Sequence, residues 1–160
     1  MAQDHIGGYT KLIAIAGSSV GANTTAYTSG DLLGGKLTLT DAGRKNLGTV
    51  VVLSATITDL DKQDLALDVV IFSSDPDGTT FTNNAALDVA DADLAKIVGV
   101  IKIATTDYHD FNDNSVAVVR NLGIACQADS SGDLYAAIVA RGAPTHTANG
   151  LGITFGLLQD

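Results

Sequence analysis

The sequence predicts an all-β domain, an antiparallel sandwich of about eight strands preceded by an extended N-terminal arm. Three observations carry this. Apolar and polar residues alternate with a period of two from Gly48 to the end. The turns between these runs are built from Gly, Asp, Asn and Ser, and all 18 acidic residues are Asp, a turn former, with no Glu, a helix former. No apolar helical stretch is long enough for a β–α–β crossover, which excludes a parallel, doubly wound sheet.

The elements follow in order. Residues 1–10 read as a mobile or partner-ordered arm, and Lys11–Ala16 as a short strand. Gly17 to Gly35, rich in Gly, Ser, Thr and Ala, reads as loop or extended chain. The domain division is therefore residues 1–35 as arm and residues 36–160 as sandwich. Within the sandwich, Val51, Leu53, Ala55 and Ile57 share one face of a strand, and Leu67, Val69 and Ile71 one face of the next. Ser73 to Asn84 is a polar loop with Pro76 and Gly78 at its tip. Asp91–Lys96 fits one helical turn capped by Asp91, leading into a strand over Ile97–Ala104. Asp107–Phe111 reads as a short edge strand. Val116–Ala125 and Leu134–Arg141 alternate on either side of Asp129-Ser-Ser-Gly132, a hairpin-type turn. The last strand turns Leu151, Ile153, Phe155 and Leu157 inward. The expected core is Leu53, Ile57, Val69, Ile71, Ile101, Ile103, Val118, Leu122, Ile138, Ile153 and Phe155.

Length and composition bound the function. The chain has 160 residues, 46% of them hydrophobic and 17% charged, enough for one domain with its own core. No apolar run approaches the ~20 residues that span a bilayer as a helix. Met1-Ala-Gln-Asp-His5 has neither the basic nor the apolar stretch of a signal peptide, which predicts synthesis in the cytoplasm. The net charge of −9 opposes nucleic acid as a partner. Cys126 is the single cysteine, so no intrachain disulfide forms.

Gly30-Asp-Leu-Leu-Gly-Gly35-Lys36 approaches a phosphate-binding loop, but Leu37 replaces the hydroxyl residue that binds magnesium. Asp75-Pro-Asp-Gly78 and Asp110-Phe-Asn-Asp-Asn114 hold oxygen ligands but lack the closing Glu and the central Gly of an EF-hand loop. They read as turns first and as loop calcium sites second. His5, His109 and His146 have no partner at metal-ligand spacing. No Gly-x-Ser-x-Gly elbow exists, and Cys126 reads as a small buried filler. The expectation is a non-enzyme with no catalytic residue, no metal ligand and no cofactor. Tyr108 and Phe111 are the aromatic candidates for a binding surface.

Several segments together resemble a known group. They are Ser54–Lys62, Ala66–Phe72, Asp91–Val100, Val118–Gly123 and Asp133–Thr145. In this order they resemble the small jelly-roll decoration, or cement, proteins of tailed-bacteriophage heads. The resemblance implies a jelly roll and a virion structural role. The chain would bind the outer surface of the major capsid protein shell, stabilise it, and self-associate as a homotrimer or homodimer. It would lie on the capsid exterior and need neither membrane nor nucleic acid. The alternative is a binding module on a virion appendage that recognises a host glycan or receptor. An exposed aromatic cluster ringed by Asp and Asn would favour the alternative. A flat, largely apolar oligomer face with an ordered N-terminal arm would favour the capsid role. Strands apolar on both faces, Val50–Leu53 and Ile97–Ile103, predict a second cover, a neighbouring subunit or in part residues 11–40 folding back.

Overall fold

A computed structural model describes residues 8–160. Nine strands form two antiparallel sheets packed face to face. The first sheet has the order β1 (Tyr9–Ile15), β9 (Leu151–Gln159), β3 (Thr49–Asp59), β7 (Ser115–Gln127), β6 (Tyr108–Asp110). The second has the order β2 (Leu32–Leu39), β8 (Leu134–Ala140), β4 (Leu67–Phe72), β5 (Ile97–Ile103). With the short edge strand β6 set aside, the antiparallel pairs are β1 with β9, β2 with β8, β3 with β7 and β4 with β5. The first strand pairs with the last, the second with the last but one, and so inward. That is one long hairpin wound around a core, the topology of a jelly roll.

The core lies between the sheets. Ile57, Val69, Ile71, Ile101, Ile103, Ile138, Ile153 and Phe155 are buried in it, as alternation predicts. Leu53 and Val118 are not: both are exposed, and Leu122 is only partly buried against the core. The cause is one irregularity shared by β3 and β7. The register shifts between Val52 and Ser54. Val52 therefore points inward and so does Ala55, with two residues between them instead of one. Opposite, β7 accommodates extra residues at Asn121 and Gly123, both at positive φ (58° and 63°). A bulge inverts the face on which later residues fall, so the phase read from Ile57 cannot be carried back to Leu53.

Residues 1–7 lie outside the described residues, and with them most of the segment read as a partner-ordered arm. The boundary expected between residues 35 and 36 falls inside β2. Ahead of it, β1 pairs along its whole length with β9. A helical turn, α1 (Gly17–Val20), then buries Val20, and Ala22 and Tyr27 join the core. Residues 8–35 are thus part of the sandwich. Asn83 holds them: its Oδ1 accepts from Tyr27 Oη (2.8 Å) and Gly34 N (2.9 Å), and its Nδ2 donates to Gly21 O (2.9 Å). Gly34 takes φ 80° at an irregularity of β2, and a Cβ there would lie 1.7 Å from Val20 O. One glycine of the apparent phosphate loop, Gly34, is explained by this close approach.

The two outer faces of the sandwich differ. The β4–β5 connection, residues 73–96, folds back over the second sheet as a flap. Phe81, Leu87 and Val89 of the flap pack with Ile97 on Leu32, Val70, Phe72, Tyr135, Ala137 and Val139. Every residue of β8 is consequently buried. A neighbouring subunit is not needed to cover β4 and β8, because the chain covers them itself. A turn, α2 (Asp91–Leu94), closes the flap. Its N-cap is Ala90, which makes no side-chain cap bond. The working acid is Asp93, which accepts from Thr79 Oγ1 (2.7 Å) and pairs with Lys96 (2.8 Å), not Asp91.

Candidate functional site

The outer face of the first sheet has no cover among the described residues. The registers place four cross-strand rows on it. Thr10, Leu158, Val51 and Ala125 form one, and Leu12, Gly156, Ser54 and Arg120 the next. Ala14, Thr154, Thr56 and Val118 follow, and then Gly152, Thr58, Val116 and His109. Arg120 is the one fully charged side chain in these rows, in a chain that is 17% charged overall. Small and β-branched residues keep the surface low. Gly156 makes it flat: a Cβ there would lie 2.4 Å from Ser54 Oγ and 3.8 Å from Leu12 Cδ2. Leu12 is 75% exposed at the β1 edge and Val118 38% exposed. A flat, nearly uncharged sheet face with exposed apolar groups has the character of a surface that seats against another protein.

The aromatic candidates separate. Tyr108 is a packing residue: its hydroxyl donates to Leu65 O (2.9 Å), and burial together with Asp59 and Asp64 pushes its pKa far up. Phe111 is 54% exposed at the tip of the β6–β7 turn and lies edge-on to His109 at 5.3 Å between ring centres. Asp110, Asn112, Asp113 and Asn114 surround it in sequence.

The acidic loops hold lysines. Lys36 pairs with Asp75, Lys96 with Asp77 (2.6 Å), and Lys62 with Asp110 (3.2 Å). Asp75, Asp77 and Asp110 are thus engaged by ammonium groups of the chain, while among the described residues Asp113 accepts only from Asn114 Nδ2 (3.3 Å). Asp129-Ser-Ser-Gly132 joins β7 to β8 and so crosses between sheets, where a hairpin was expected. Cys126 is half-buried, and burial raises its thiol pKa, which disfavours the reactive thiolate.

The structure also brings together what sequence spacing keeps apart. Asp59, at the end of β3, and Asp61 meet His146 of the β8–β9 loop. Nδ1 of His146 lies 3.6 Å from Asp59 Oδ1 and 3.5 Å from Asp61 Oδ2. Burial opposes ionisation of Asp59, but the imidazole and the amides of Asp61 and Gln63 outweigh it and hold its pKa low. The three residues could hold a metal ion. Asp-x-Asp at a strand end was the only local signal, and the histidine comes from 85 residues further on.

No family model matches the chain, and no curated protein matches it. The solved structures it is similar to include viral capsid proteins. The infectious bursal disease virus VP2 subviral particle is 10% identical over 99% of this chain and 36% of that one, with a TM-score of 0.39. The chain thus spans about a third of that VP2 chain. The cyanophage Pam1 capsid asymmetric unit is 13% identical over 100% of this chain and 91% of that one, with a TM-score of 0.34. Mud Crab Dicistrovirus is 8% identical over 96% and 67%, with a TM-score of 0.28. Likenesses this distant say nothing of what this chain binds.

Proposed function

We propose that this chain is a virion structural protein that binds the outer surface of a major capsid protein shell and stabilises it. The observation that carries the proposal is the asymmetry of the sandwich. One outer face is roofed by the chain's own flap, and the other is flat, nearly free of charge and uncovered among the described residues. A monomer gains nothing from leaving Leu12 and Val118 in water, whereas an assembly that buries them does. The resemblance of Ser54–Lys62, Ala66–Phe72 and Asp133–Thr145 to head decoration proteins supports the same reading. Homo-oligomerisation through the β1 edge, which pairs on one side only, fits this role.

A second reading rests on Phe111. An exposed ring amid Asp and Asn is the feature expected of a glycan- or receptor-binding module. The sheet face is favoured because Tyr108, which would extend that platform, is committed to packing.

The test is co-sedimentation with shells of the major capsid protein that lack this chain. Wild type and Thr80→Asp, a change on the exposed flap, are expected to bind equally. Thr154→Asp, which puts a charge in the middle of the open face, is expected to lose binding more than about tenfold, the effect of an unpaired buried charge. Equal binding by Thr154→Asp would contradict the proposal, and loss on Phe111→Ala alone would favour the second reading.

A further inference from the structure

The Asp59–Asp61–His146 cluster lies at one end of the sandwich, away from the open face's central rows, and stands independently of the function proposed above. His146 is 3% exposed and Asp59 1%, so this is an interior site. Buried polar groups almost always have a hydrogen-bond partner. Neither ring nitrogen of His146 has one. Among the described residues, the other buried side-chain atoms without a partner are Asp64 Oδ1 and Ser115 Oγ. Both belong to the same place: Asp64 N donates to Asp59 Oδ2 (3.2 Å), and Ser115 faces Asp59 across the β3–β7 ladder. The unsatisfied polar atoms of the sandwich therefore collect around one point.

The distances say what that point suits. An imidazolium bonded to a carboxylate sits at about 2.7–2.9 Å. The separations here are 3.5 and 3.6 Å, too long for that bond. Ligands held about 2.0–2.2 Å from a tetrahedral ion lie roughly 3.3–3.6 Å from one another. The two nitrogen–oxygen separations match edges of such a tetrahedron, and the three ligand atoms all lie within 4.8 Å of one another. The carboxylates are also oriented from behind. Asp59 accepts from the amides of Asp61 (3.0 Å) and Gln63 (2.8 Å). Asp61 accepts from Thr147 N (2.7 Å) and Thr147 Oγ1 (2.8 Å). Outer donors of this kind fix the direction of metal-binding lone pairs.

We propose that Asp59, Asp61 and His146 bind one divalent first-row transition-metal ion of the zinc type. An imidazole nitrogen with two carboxylates suits that class, whereas calcium and magnesium take oxygen ligands alone. The ion would join the β3–β4 turn to the β8–β9 loop and so pin the chain ahead of β9, the central partner of β1 and β3.

The full chain, dialysed against a chelator, is titrated with zinc chloride in a calorimeter and then melted. One equivalent is expected to bind, raising Tm by about 5–10 °C at a free zinc concentration a hundred times Kd. Cobalt(II) in its place is expected to show the strong visible bands of a four-coordinate site. Asp61→Asn and His146→Gln are expected to weaken zinc more than about 100-fold, beyond the loss typical of an outer-shell partner. Wild type that takes up no zinc overturns the proposal, as does zinc bound equally by folded Asp61→Asn protein. Should His146→Gln not fold, Asp61→Asn and the wild-type cobalt spectrum decide.

Discussion

Asp129 shows how much a single side chain arranges here. Its Oδ1 accepts from the amides of Ser131 (2.7 Å) and Asp133 (2.9 Å), and its Oδ2 from the hydroxyl of Tyr135 (3.0 Å). One carboxylate thus shapes the crossing between sheets and anchors the start of β8. Burial opposes its ionisation, but these donors prevail and hold its pKa below the ordinary 3.8. The same contact, after burial itself, pushes Tyr135 up to about 12. Asp129→Ala is expected to cost about 1–3 kcal/mol, because it orphans partly buried donors. The sign of the pH dependence follows from the lowered value. The stabilisation is fully present above the ordinary carboxylate range and is lost as pH falls through the folded pKa. The Tm difference between wild type and Asp129→Ala should therefore be widest near neutrality and close in acid. A difference that stays constant down to strongly acidic pH would remove the charge from this explanation.

At the scale of elements, the flap is the least expected piece. Its loop character was legible in Ser73 to Asn84, with Pro76 and Gly78 at the tip. That it roofs a sheet was not, because Phe81 stands alone among polar residues and Leu87 and Val89 sit in the short stretch Ala85–Ala90, too brief to reveal a period. The flap covers β4 and β8, but of β5 it reaches only Ile97 and leaves Val100 45% exposed, so the neighbouring subunit expected over that strand is not replaced by an internal cover. The roof should matter to stability. Phe72 is fully buried and meets Phe81 edge-on at 6.3 Å. Phe72→Ala is expected to cost about 3–5 kcal/mol, as for a large buried ring. Phe81→Ala should cost less and should increase binding of a dye for exposed apolar surface, since it loosens the roof while leaving the main core intact. If Phe81→Ala leaves both stability and dye binding unchanged, the flap is not a cover. Strand phase was legible where strands are regular, as at Ile57, Val69 and Ile153. It was lost at the β3–β7 bulge, which leaves no mark in a binary pattern beyond Asn121 and Gly123. The buried Asp59–Asp61–His146 cluster was hidden for a different reason, since only the fold brings its two segments together.

At the scale of the whole molecule, the winding determines what is available for contact. A jelly roll has two outer faces, and this chain commits residues 73–96 to closing one of them. The other carries rows of Thr, Ser, Gly and Ala edged by Leu12 and Val118. Such a face approaches a partner closely with little charge to desolvate, which is the cheaper way to bury area in a large assembly. The −9 net charge then resides on the turns and on the flap, where it keeps the free protein soluble. Orientation on the shell is therefore the central claim. Electron cryomicroscopy of shells reconstituted with the full chain measures it directly. The account predicts density in which Thr56 and Thr154 face the major capsid protein and the 73–96 flap faces solvent. Density with the flap against the shell and Thr154 in solvent would contradict it.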